Sequence, residues 1–478
     1  MNDINFKKKN LLIDIFLIMT IPLFFLGYIS FEGSLMYFSL IIAWLMFAIK
    51  SCTRERIMVF AFSITLFVFL FGKIVVNQLE MGISERITDT MLHTYLCLFL
   101  SIHFANFGVI LAKWDKLKES YIKKGFSYNS KANDRTQRMR KAAKTIYIFF
   151  GLCQLACALE KLILAHILGS YTATFVNFSS LLPSIVTKLS EMADIAFFIY
   201  LSTLPNPRKM KLVFGLKILI GLILLAYGMR NVIVMTLILL GAYCILYEEL
   251  NKKRYDIISK KTYIISLMLI PVVLTFFEYI MAYRDGLNYV NNSIFNSAKH
   301  MIISLGGSVS VIEYGYEYDS AIPNKFYSFS GIIDFITQNF IARIFLGVQQ
   351  YGENTIEGAL YGNSLSNILT YMVKKEAYLG GYGMGSSYIA EVYHDFGYIG
   401  VSLINVIYGY ILIQFSNLKS NQILKNTIII MSSYYIVYAP RAYADGFLSC
   451  FFNFSFILTL LTIHITSRIK LNININKE

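Results

Sequence analysis

Paired cysteines are what this 478-residue sequence most plainly lacks. Cys52, Cys97, Cys153, Cys157, Cys244 and Cys450 stand singly or one helical turn apart, mostly inside apolar blocks. Such spacing excludes a disulfide framework and a zinc knuckle. Charge is also scarce, at 15% of residues against 56% hydrophobic. There is no DxD pair, no internal repeat and no low-complexity tract. The glycines of 380–385 follow no strand-like run and precede no lysine in Walker position, so a nucleotide loop is only superficially suggested.

Present instead are apolar blocks of about twenty residues, the length a helix needs to cross a bilayer. They predict an all-α, polytopic membrane protein of about twelve spans, at 11–30, 34–49, 57–76, 91–112, 145–168, 184–204, 212–227, 231–247, 263–283, 397–414, 427–439 and 447–465. The first block follows Lys7, Lys8 and Lys9 but is too long for a signal-peptide core, and it reads as a retained span.

The net charge of +14 collects in alternate loops, above all in 113–144 with its run "RTQRMRKAAK". Positive-inside orientation then puts both termini on the cytoplasmic side. The run reads as an anchor for anionic membrane lipid, with no nucleic acid as partner. Three regions follow: a bundle of about nine spans over 1–283, a long external segment over 284–396, and about three spans with a tail over 397–478. The external segment is too rich in Tyr, Ile and Phe for disorder. Its stretches "FSGIIDFITQNFIARIFLGV" and "NSLSNILTYMVKK" predict amphipathic helices at the membrane surface or dipping into it.

Arginine on the outer side runs against the positive-inside rule. Arg230 sits in "YGMRN", Arg284 in "AYRDG", Arg343 in "FIARIF" and Arg441 in "YAPRAYADG". Snorkelling or ion pairing at helix ends would explain any one of them. Several converging on one anion would explain the set, because guanidinium is a bidentate fork for phosphate oxygens.

If 386–398 is helical, Ser387, Glu391, His394 and Tyr398 share one stripe, with Ile389, Val392, Phe396 and Ile399 opposite. That stripe is expected to face the external cavity, with Glu391 as general base and His394 as its reserve or orienting partner. Surface carboxylates near an interface need no such role. Tyr314, Tyr316 and Tyr388 offer faces for sugar stacking, and equally an interfacial tyrosine belt. Glu313, Glu317 and Asp319 could hold a divalent cation, although oxygen ligands at this spacing arise by chance; no metal or other cofactor is expected. Glu160, Lys188, Glu191, Asp194 and Glu278 lie in or beside spans and mark either a polar seam or a solute pathway.

The stretch "GGYGMGSSYIAEVYHDFGYIG", with "YGMRN", "AYRDG", the long external loop and the span count, resembles the O-antigen polysaccharide polymerase family (Wzy type). That resemblance implies a GT-C-like glycosyltransferase of the bacterial inner membrane. It would move a growing glycan from one undecaprenyl diphosphate to the non-reducing end of another lipid-linked repeat unit. Its partners would be the lipid-linked oligosaccharide and, in the same pathway, a chain-length regulator and a flippase. Arg230, Arg284, Arg441 and Arg343 would bind diphosphate. An O-antigen ligase shares this chemistry, and a flippase of lipid-linked oligosaccharides shares the span count.

Overall fold

The computed structural model describes residues 2–82, 87–122, 134–168, 179–251, 276, 294–339, 342, 344–345, 347–419 and 421–468. Among the described residues all regular elements are helical, as hydrocarbon requires of a chain that must satisfy its backbone internally. α1 (Asn2–Ser30) and α2 (Gly33–Ser51) form a hairpin. α3 (Ile57–Leu66) passes through a π turn, Phe67–Phe71, into α4 (Gly72–Met81). Then come α5 (Asp89–Ile122), α6 (Asp134–Leu168), α7 (Ser184–Ser202), α8 (Lys211–Tyr227) and α9 (Arg230–Leu250). The segment after α9 folds as α10 (Ile294–Leu305), α11 (Ser308–Glu317), α12 (Ser330–Thr337), α13 (Ile356–Tyr361), α14 (Leu365–Val373) and α15 (Lys375–Leu379). α16 (Tyr388–Gln414), α17 (Ile423–Tyr438), α18 (Gly446–Ser449) and α19 (Phe454–Arg468) close the chain.

Among the described residues eight helical stretches are long and apolar enough to cross a membrane: 12–30, 33–51, 54–80, 89–114, 134–167, 230–250, 388–417 and 446–468. The protein is an integral membrane protein. Three further expected spans are helical but fail those tests: α7 because it carries Lys188, Glu191 and Asp194, α8 and α17 because they have 17 and 16 residues. The span expected at 263–283 lies outside the described residues, as does Glu278.

α5 and α16 make the central contact of the bundle, and small residues permit it. A Cβ on Gly409 would stand 2.0 Å from the Ala105 carbonyl oxygen, and one on Gly108 2.1 Å from that of Val406. Beside them, Asn405 donates to Ser101 Oγ at 3.2 Å and accepts from the Tyr388 hydroxyl at 2.8 Å. Gly409→Val is expected to destabilise by about 1–3 kcal/mol, as overpacking does. A lowered unfolding midpoint in detergent measures it, and an unchanged midpoint would refute the close approach.

The ionisable residues in spans close on neighbours. Lys50 pairs with Asp14 and reaches Asn106 Oδ1 at 2.8 Å. Asp194 pairs with Lys217 and accepts from Gln154 at 3.0 Å. Glu160 accepts from Ser180 Oγ at 2.7 Å and from the backbone N–H of Leu182 at 3.2 Å. Lys188 meets Glu191 at 3.0 Å.

Candidate functional site

The site lies where α17 ends. Pro440 cannot continue the helix, and Ala439–Arg441 form a 3-10 turn instead. Arg441 Nη1 donates to the Leu305 carbonyl at 3.1 Å, at the C-terminus of α10. That end carries unsatisfied carbonyls and a partial negative charge, so a cation is favourable there. The guanidinium carbon stands 5.8 Å from the ring centre of Phe69, a residue of the π turn. A cleft of about 420 Å³ opens beside it, lined by Ser366, Gly385, Ser386, Tyr435, Tyr438, Arg441 and Tyr443 among others. Tyr438 accepts from Asn231 Nδ2 at 2.5 Å, which brings the start of α9 to the cleft. Arg230, the first residue of α9, is buried.

Glu391 is fully buried behind this cleft. Its Oε1 accepts from Ser386 Oγ at 2.5 Å and its Oε2 from the Ala444 N–H at 2.8 Å. One carboxyl thus ties the glycine-rich loop to the turn after Arg441. Gly381 (φ 91°) and Gly385 (φ 81°) take left-handed conformations in that loop, which other residues adopt only at a cost. Asp445 is buried nearby and accepts from the Ile332 N–H at 3.0 Å. Burial pushes its carboxyl above the ordinary aspartate range, with backbone N–H bonds opposing.

The expected stripe does not face an open cavity. Ser387 and Glu391 are fully buried, His394 meets Asp319 at 2.7 Å, and the Tyr398 hydroxyl meets His93 Nδ1 at 3.0 Å. The reason is that α16 is wedged between α5, α11 and α17. No residue of the stripe lines the cleft; Gly385 and Ser386, just ahead of the helix, do. Gly397 (φ 61°) bends α16 immediately before Tyr398.

His394, with its ring 5.2 Å from Tyr327, therefore braces the segment between α11 and α12. Asp395 braces it too, accepting from the N–H groups of Tyr327 at 3.1 Å and Ser328 at 2.8 Å and from the Ser328 hydroxyl. Hydrogen bonds to a charged acceptor contribute about 1.5–3 kcal/mol each. Asp395→Ala should therefore loosen this turn, and limited proteolysis should cut near 327–328 faster than in wild type. An unchanged cleavage rate would refute the bracing role.

Arg284 and Arg343 lie outside the described residues. Tyr388 is fully buried, bonded to Asn405, and has no ring face open to a sugar. Tyr316 stacks on His93 with ring centres 4.3 Å apart, and Tyr314 stands beside Tyr318. The tyrosines that do line the cleft are Tyr435, Tyr438 and Tyr443. The i, i+3 spacing of the first two, just before the anomalous arginine, is the sequence signal that marks them. Among the described residues no group of three or more His, Cys, Asp or Glu is placed to hold a metal ion, and Asp319 is engaged by His394.

These features define an all-helical, membrane-embedded protein with an arginine-bearing cleft at one end of its bundle. The family model described as O-antigen polysaccharide polymerase Wzy matches residues 11–472, nearly the whole chain. The chain belongs to that family. No curated protein and no solved structure matches it.

Proposed function

We propose that the chain lengthens a surface polysaccharide at the Arg441 cleft. It transfers the glycan of one undecaprenyl-diphosphate carrier to the non-reducing end of another lipid-linked repeat unit, on the external face of the inner membrane. Both termini and the Arg135 end of the bundle are then cytoplasmic, within a GT-C-like arrangement of about twelve spans. The observation that carries this reading is the coincidence, in one cleft at a membrane-facing end, of an arginine, phenols and a serine backed by a buried carboxylate.

Each part has a chemical task. The lipid diphosphate that leaves carries growing negative charge, and Arg441 stabilises it as the sugar–phosphate bond breaks. Arg230, the first residue of α9, adds positive charge, and Arg284 is assigned the same task from its sequence motif alone. The acceptor hydroxyl must lose its proton as its oxygen bonds the anomeric carbon. Ser386 takes that proton while passing its own to Glu391, so the carboxylate acts as base through one hydroxyl. Tyr435, Tyr438 and Tyr443 provide apolar faces with polar tips for sugar rings. The helices of the external segment shield the site from water.

Deleting the gene and separating the surface lipopolysaccharide on a gel tests the reading. A polymerase mutant keeps core capped by a single repeat unit. Loss of that unit as well would point to a ligase or a flippase and overturn the proposal.

A further inference from the structure

A second cleft, of about 400 Å³, lies at the end of the bundle opposite Arg441. It forms where the starts of α6 and α17 meet the end of α19. Three basic side chains reach it from three helices: Arg135 in the first turn of α6, Lys425 in the first turn of α17 and His464 one turn before α19 ends at Arg468. No acidic side chain lines it, while Ile199, Leu460 and Ile463 give it an apolar floor. The three basic residues all lie within about one turn of a helix end, the depth at which spans leave hydrocarbon for the headgroup layer.

We infer that this groove holds the phosphate headgroup of an anionic phospholipid. The basic rim and the floor are complementary to different parts of one molecule: the charges of Arg135 and Lys425 and a ring N–H of His464 meet the phosphate, and Ile199, Leu460 and Ile463 receive the start of an acyl chain. A free phosphate would use the rim and gain nothing from the floor. The groove is separate from the Arg441 cleft, being at the other end of α17, and so serves to seat the bundle against anionic lipid and not to bind the glycosyl donor.

The full-length protein in detergent, given phosphatidylglycerol and phosphatidylcholine with identical acyl chains, provides the test by native mass spectrometry. Wild type should retain phosphatidylglycerol preferentially, and excess inorganic phosphate should fail to displace it. Arg135→Gln with Lys425→Gln should weaken retention about fivefold for each cation removed. Lys209→Gln with Lys419→Gln removes the same charge at the same end but outside the groove, and retention should be unchanged. Equal loss in both pairs would show diffuse attraction and overturn the assignment. So would wild-type retention without headgroup preference, or displacement by phosphate, and these two outcomes require no variant to fold.

Discussion

Arg441→Ala should stop chain extension, leaving lipopolysaccharide capped with single repeat units at a normal level of membrane-inserted protein. Removing one preorganised donor from a developing negative charge lowers turnover about 10²–10³-fold, and a ladder needs many turnovers per chain. Arg441→Lys should retain partial activity, because an ammonium supplies charge without the planar fork. The guanidinium also bonds the Leu305 carbonyl, so a purely structural role predicts something different. It would lower the unfolding temperature while leaving the rate per folded molecule at the wild-type value, and that outcome would remove Arg441 from the reaction.

Glu391→Gln carries the second large effect, a loss of about 10²–10⁴-fold if the carboxylate is the base. Glutamine has nearly the same shape and can still accept from the Ala444 N–H, but it cannot take the proton that Ser386 passes on. Glu391→Ala answers a different question, since it leaves the Ser386 hydroxyl and the Ala444 N–H without their buried partner, at about 1–3 kcal/mol for each group. Ser386→Ala should reproduce the glutamine phenotype and also cost about 1–3 kcal/mol of stability, because the buried Glu391 Oε1 loses its donor. Wild-type ladders from the glutamine variant would reduce Glu391 to a tie between two loops.

What the sequence disclosed and what it concealed divide along physical lines. Arg441 stood out because, in the orientation expected from the basic loops, its positive charge runs against the positive-inside rule. The turn at 380–385 was legible from its glycines, two of which take positive φ. The setting of Glu391 was not legible. Helical spacing says which residues share a face, but nothing about what covers that face, and Ala444 is 53 residues away. Asp395 likewise meets a turn 67 residues earlier in the chain. The tyrosines of the cleft were hidden by abundance, since 34 tyrosines make any one of them unremarked. Three of the expected spans are helices in the structure that are too short or too charged to be counted as spans by length and composition, because an apolar block fixes where a helix forms but not where it ends.

The shortness of α17 has its own meaning for the substrate. Its 16 residues rise about 24 Å, against a hydrocarbon thickness of about 30 Å. In the proposed arrangement of about twelve spans it crosses between the apolar helices 388–417 and 446–468. A helix shorter than the oil it traverses ends beneath the surface or thins the bilayer around it. Arg441, three residues beyond that end, then stands at the depth of the lipid phosphates. A polyprenyl diphosphate can drift to it within the membrane plane, keeping isoprene units in oil whose exposure would cost about 0.8 kcal/mol per CH₂.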